Sequence, residues 1–277
     1  MVMNRLSTEE RTRVVAALVE GNSIRATCRM TGVAKGTVLK LLADIGTACA
    51  KYQDQILRKL PCKRLQCDEI WAFCYAKEKN LPEKKQGQFG FGDVWTWTAI
   101  CADTKLIPCF MVGRRNGEYA KLFIENLARR LANRVQLTTD GHRAYLEAIE
   151  GAFGSEVDYA MLIKLYTTDP ALEGKYSSGE CCGTRTQKIQ GNPDEAHIST
   201  SFAERQNLTM RMSMRRFTRL TNGFSKKVQN LEHMVALFFM YYNFARVHQT
   251  LKVTPAMEAK VADHVWTIEE IVGLIPN

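Results

Sequence analysis

Apolar positions recur at helical spacing through the first fifty residues. Val14, Val15, Leu18 and Val19 share one face of a helix that Ser7 or Thr8 can cap and that Gly21-Asn22 stops. A second helix is predicted from near Ser23 to Gly32 and a third from about Lys35 to Ile45. Cys28, Gly32, Val38 and Leu41 carry the spacing of a helix-turn-helix: a small residue where helices cross, glycine in the turn, then two apolar anchors under the second helix of the pair. The alternative is an ordinary three-helix cap. Lys35, Thr37 and Lys40 fall on the outer side of the third helix, as DNA-contacting residues would.

Beyond a helical linker (51–63) the period changes from that of helices to that of strands. Leu65–Phe73 is one strand, and Val94–Cys101 with Leu106–Val112 flank the short turn 102–105 as a hairpin. A helix follows over about Tyr119–Asn133, with Leu122, Phe123, Leu127 and Leu131 on one face. Then come a strand Val135–Thr139, a helix Ala144–Ala152 and a strand Val157–Leu165. The order βββαβαβ predicts an α/β domain (64–250), with a small all-α domain (1–50) in front. Residues 166–198 hold Asp-Pro, Ser-Ser-Gly, Cys-Cys-Gly and Asn-Pro and read as a loop insertion. Helices over Ser201–Phe217 and Ser225–Arg246 close the domain. A helical tail (251–277) has Thr254-Pro255 as one helix start and Thr267 with Glu270 as a capping box.

Charge changes this picture. Among 277 residues, 38 Lys+Arg against 29 Asp+Glu leave +9, which favours a polyanionic partner, nucleic acid before anionic membrane. The longest apolar run, Met234–Tyr242, is too short for the roughly 20 residues a bilayer needs, and no signal-peptide core opens the chain. A cytoplasmic protein with no membrane contact is expected. The nine cysteines include no C-x-x-C pair, and Cys67, Cys74, Cys101 and Cys109 sit in apolar runs as buried reduced thiols do. No phosphate-binding G-x-x-x-x-G-K-[ST] motif is present, so ATP is not expected.

Three acids stand where this order of elements brings them together. Asp68 lies in the first strand, Asp140 ends the fourth just before Gly141, and Glu204 lies in the first turn of the helix after the long loop. A sheet whose first and fourth strands are neighbours puts the aspartates side by side. Converging carboxylates need cations between them, and oxygen-only ligation suits two Mg²⁺ or Mn²⁺ ions. Each acid also has a plain structural reading: a strand-ending turn at Asp140-Gly141, a strand-end acid at Asp68, a capping box at Ser201-x-x-Glu204. Asp68 and Glu69 compete, because strand neighbours point to opposite faces and only one is expected to join the cluster.

The stretches CDEIW (67–71), GDVWTWTAI (92–100), TTDGHRAY (138–145), STSFAERQNLTMRMSMRRFTRLTNGFSKK (199–227) and YYNFARVHQTLKVTPAM (241–257) resemble transposases of the insertion-sequence-one family. The resemblance covers nearly the whole chain. It implies a DDE transposase with a ribonuclease-H-like core, a mixed sheet with flanking helices, acting on terminal-repeat and target DNA as a homo-oligomer on that DNA. It also implies Asp68 and Asp140 as the two aspartates and Glu204 as the glutamate. A basic residue is implied seven positions after Glu204, where Arg211 stands.

The residues after Glu204 agree with a polyanionic partner. Ala203, Met210, Met214 and Phe217 make an apolar stripe, with Glu204, Asn207, Arg211 and Arg215 beside it as a polar one. Arg205, Arg211, Arg215, Arg216, Arg219, Lys226 and Lys227 are unbroken by any acid, so Arg211, Arg215, Arg216, Arg219, Lys226 and Lys227 join the candidate DNA contacts. Glu69, Asn207 and His248 are candidates for supporting the metal site, with a DNA contact and a buried structural role as the other readings of His248. Trp95 and Trp97 read as packing. Two other functions share these features: a helix-turn-helix regulator without catalysis, and a ribonuclease-H-like nuclease that never joins strands. A tyrosine recombinase is set aside, since no His is followed by Arg at H-x-x-R spacing.

Overall fold

The computed structural model describes residues 6–166, 181–218 and 221–276. Three helices open the chain: α1 (Thr8–Val19), α2 (Ile24–Thr31) and α3 (Lys35–Ile56). Ser7 caps α1 in a reciprocal capping box with Glu10, and Val14, Val15, Leu18 and Val19 are all buried. Gly32 ends α2 in the left-handed conformation (φ 74°), where a glycine is the residue at least cost. Val38 and Leu41 are buried beneath α3, with Cys28 packed against the same core.

The expected end of the small domain at residue 50 falls inside α3, a correction to the separate linker helix. The helix runs unbroken for 22 residues because Leu42, Ile45, Cys49 and Gln53 continue its buried stripe. That stripe packs on α7 (Val228–Met240), where Gly46 lets the two backbones approach: a Cβ there would stand 2.4 Å from His233 Cβ. Arg130 fixes the other end of α3, donating to the carbonyls of Gln53 and Leu57 and pairing with Asp54 at 2.6 Å. The helical front thus shares one hydrophobic core with the rest of the chain.

A six-stranded mixed sheet follows, with strands β1 (Arg64–Cys74), β2 (Gly92–Cys101), β3 (Cys109–Gly113), β4 (Val135–Thr139), β5 (Val157–Tyr166) and β6 (Cys181–Gln190) in the spatial order β3-β2-β1-β4-β5-β6. β1, β4 and β5 run parallel, and β2, β3 and β6 pair antiparallel to their neighbours. Helices α4 (Gly117–Ala128) and α5 (Ala144–Phe153) supply the crossovers and pack on each other. β6 lies within the expected loop 166–198, whose residues 167–180 fall outside the described set. This edge strand is exposed along most of its length, so its CCGTRTQKIQ sequence lacks the apolar alternation by which strands are read.

Helix α6 (Ser201–Ser213) is shorter than expected. The chain turns extended at Met214 (φ −125°, ψ 112°) and makes a single tight turn over Arg215–Phe217. Ala203, Met210, Met214 and Phe217 are still all buried, by a helix and a turn in succession, and Arg215 leaves the polar stripe. α7 ends in one wide turn over Tyr241–Ala245. Both tail expectations are met: Thr254 caps α8 (Pro255–Glu258) with Pro255 in its first turn, and Thr267 and Glu270 form the capping box of α9 (Ile268–Gly273), which packs on α1. No helix among the described residues is long and apolar enough to cross a membrane.

Candidate metal centre

The site is made by a strand that stops early. β4 has five residues, whereas its neighbours β1 and β5 have eleven and ten. Pairing of β1 with β4 ends at Cys67–Thr139 and that of β4 with β5 at Thr139–Met161. Beyond those rungs the two long strands flank a notch at the carboxyl end of β4, the place where open α/β sheets bind ligands. A cavity of about 570 Å³ fills it, lined by Asp68 from β1, Asp140 and His142 after β4, Lys164 from β5, Thr200 and Glu204 at the start of α6, and Arg115 and Arg143.

Carboxylate oxygens of Asp68, Glu69 and Asp140 lie within 4.8 Å of one another. Asp68 and Glu69 do leave β1 toward opposite faces, Asp68 toward α6 and Glu69 toward the side where Trp97 and Tyr145 pack. Both nevertheless reach Asp140, because it sits past the last rung of β4 where no sheet separates the faces. The expectation that only one could join is corrected on that ground. Glu204 lines the same cavity but stands outside this tight group, its carboxylate 2.6 Å from Lys164 Nζ and 2.5 Å from the Thr200 hydroxyl, which donates to it. The capping box proposed for Ser201 and Glu204 is not formed: Thr200 occupies the cap position with no side-chain cap bond.

Each acid is oriented by a donor. Asp68 accepts from the Glu69 amide and from Asn207 Nδ2, both at 2.8 Å, so Asn207 supports the centre from α6. Asp140 accepts from the His142 amide at 3.0 Å. Arg115 bridges the group, 3.1 Å from Glu69 and 3.5 Å from Asp140, with its guanidinium over the Trp95 ring. Even so, burial and the neighbouring Asp140 push the Asp68 carboxyl up to about 6 and that of Glu69 to about 7. Three crowded carboxyl groups offering hard oxygen donors, with Asp68 and Glu69 held back from ionising, fit a divalent cation such as Mg²⁺ or Mn²⁺.

The remaining candidates lie elsewhere. His248 does not line the notch; it borders a separate cavity of about 450 Å³ beside Lys105, Arg205 and Arg246, which corrects its expected place near the acids. Lys35, Thr37 and Lys40 are exposed at the start of α3, Lys40 paired with Asp44 at 2.7 Å. Arg211 remains on α6, one face with Glu204. Arg215, Arg216, Lys226 and Lys227 line a third cavity, and Arg219 lies outside the described residues. Sequence reasoning missed Arg115, Arg143 and Lys164: Arg115 and Lys164 lie outside every quoted stretch, and Arg143 lies inside TTDGHRAY without being singled out.

No protein-family model matches the chain, and no curated protein does. Among solved structures it is similar to the piggyBac transposase synaptic complex with hairpin DNA, at 10% identity and a TM-score of 0.44 over 98% of this chain and 71% of that one. It is also similar to the Mos1 transposase paired-end complex with the left transposon end (15% identity, TM-score 0.24, 57% of this chain and 60% of that one). The Mos1 mariner paired-end complex with Mn gives 13% identity and a TM-score of 0.23 over the same shares. Likeness at this level assigns neither a family nor an activity to the chain.

Proposed function

We propose that this protein is a DDE-type DNA transposase of an insertion sequence, which cuts element ends and joins the freed 3′ hydroxyl to target DNA. The observation that carries this reading is the notch at the end of β4, where Asp68 and Asp140 converge within metal-ligand distance and Glu204 faces them across one cavity. The strand order, with β1 central and parallel to β4, supports the ribonuclease-H-like core that the sequence resemblance implies.

Asp68 and Asp140, with Glu69 or Glu204, would hold divalent cations. When bound, two such ions supply the Lewis acidity that activates an attacking hydroxyl and stabilises the leaving oxygen of a phosphodiester. The chain's own residues do the positioning. Asn207 and the Glu69 amide fix both oxygens of Asp68, and the His142 amide fixes Asp140. Arg115, Arg143 and Lys164 ring the notch with positive charge suited to the scissile phosphate. Arg211 on the Glu204 face, together with Lys35 and Thr37 at the start of α3, would hold the DNA backbone on either side.

The test is incubation with DNA bearing the element's own flanking ends and Mg²⁺. Metal-dependent 3′ nicks followed by joined products are expected. End binding without metal-dependent cleavage would mean a regulator, and cleavage without joined products a nuclease.

A further inference from the structure

Two arginines reach toward the interior, and they are treated differently. Arg130 is satisfied on all sides, by Asp54, Asn126 and the carbonyls of Gln53 and Leu57. Arg216 is half-buried; its Nε is buried without a hydrogen-bond partner, and no carboxylate pairs with the side chain among the described residues. A guanidinium N–H buried without a partner is costly, because water has been removed from it and nothing replaces it. Burial alone draws the Arg216 guanidinium down to about 10.

Arg216 lines a cavity of about 530 Å³ between the first turns of α2 and α3 and the segment just before α7. Arg25, Lys35, Arg215, Lys226 and Lys227 line it as well, and no acid does. Ser225 lines it as well; the residue is 5% exposed and its hydroxyl is buried without a partner. The Ser225 backbone is held in place, since its carbonyl accepts from the Tyr75 amide at 2.9 Å. Phe224 is held against Phe73 at 4.6 Å between ring centres, with Lys226 over its outer face. Two orphaned polar groups on a fixed frame, surrounded by five further cations and the positive ends of two helices, define a place for a compact anion.

We infer that this cavity is a phosphate-binding pocket that takes one backbone phosphodiester of DNA, gripped by Arg216 and Ser225 between the amino-terminal helices and the segment before α7. The inference rests on the DNA reading above for the source of the phosphate. It adds an anchor in a cavity separate from the notch, one that joins the helical front to the core through the bound strand.

Inorganic phosphate is the first probe, with full-length, DNA-free protein and chloride of equal ionic strength as reference. Melting temperature is expected to rise saturably, by about 5 °C when phosphate exceeds its Kd about a hundredfold. Arg216→Met keeps the side-chain volume and removes the charge. It is expected to abolish the phosphate response while melting in chloride no lower than wild type, because the unpaired charge is gone. Ser225→Ala is expected to weaken the response about tenfold in Kd. In the DNA arm, Arg216→Met should weaken duplex binding about tenfold, with the Mg²⁺-dependent melting shift unchanged.

No phosphate response, or the same response in Arg216→Met, would overturn the pocket. A variant that melts well below wild type in chloride would make Arg216 a structural residue and overturn it too. A phosphate response lost in Arg216→Met with DNA affinity unchanged would overturn the DNA source and assign the pocket to a free phosphate compound. Failure of the transposase reading registers separately, as absent metal-dependent cleavage with the phosphate results intact.

Discussion

The crowded acids make stability itself a reporter of the site. Asp68 holds its proton to about pH 6 in place of 3.8, and Glu69 to about 7 in place of 4.5. In the folded state both carboxyls therefore bind protons that the unfolded chain has already released. Between about pH 4 and 7 the folded form carries more protons than the unfolded one, so stability falls as pH rises through that window. At about 1.4 kcal/mol per pH unit, the rise at Asp68 corresponds to about 3 kcal/mol lost by pH 7.5. The two acids and Asp140 share one local field, so the pair is expected to lose a similar amount and not twice as much. For a chain of this length that is about 6 °C in melting temperature. The double variant Asp68→Asn with Glu69→Gln removes both titrations, and the difference between wild type and variant, scanned by calorimetry from pH 4.5 to 7.5, isolates the effect. Added Mg²⁺ or Mn²⁺ competes with the protons, so its stabilisation of wild type should grow with pH over the same range. A wild-type-minus-variant difference that stays flat, or a metal effect independent of pH, would refute the crowding argument.

Alanine at Asp68, Asp140 or Glu204 is expected to abolish cleavage and joining with near-normal circular dichroism and end binding; near wild-type strand transfer in any one removes that acid from the assignment. Asn207→Ala leaves one Asp68 oxygen undirected, and the Mg²⁺ concentration for half-maximal cleavage should rise roughly tenfold or more. Gly46→Ala forces a Cβ into His233 and should cost about 1–3 kcal/mol in urea unfolding, with metal-dependent stabilisation retained in the folded fraction. Removing residues 1–50 cuts α3 and bares the apolar face of α7, so the product should aggregate; a monomeric, cooperatively melting truncation would contradict the shared core.

What was legible in the sequence was what periodicity writes locally. The buried faces of α1 and α6, the β2–β3 hairpin and the β4-α5-β5 unit each repeat apolar residues at their own spacing, and caps at Ser7, Thr254 and Thr267 mark starts that the structure keeps. β6 escaped because its pairing is dictated by β5 and not by its own residues. The end of α6 escaped because the apolar stripe continues past Ser213 although the helix does not. Asp68, Asp140 and Glu204 were found as acids within the first strand, at the end of the fourth and in the first turn of a helix, and they do share a cavity. The role of Glu69 was hidden by a sound rule of strand geometry that fails where the neighbouring strand has already ended. Arg115 and Lys164 owe their interest entirely to what surrounds them in space, and Arg216, legible only as one of a basic run, is set apart from it by its surroundings.

The continuity of α3 carries a metrical consequence. At 1.5 Å per residue its 22 residues span about 33 Å, close to one helical turn of duplex DNA. One end presents Lys35; the other is riveted by Arg130 and leads within a dozen residues to Asp68. On the DNA reading, a duplex touching both ends is measured against a rigid strut, and the distance from recognised sequence to cut is set by a count of helical residues.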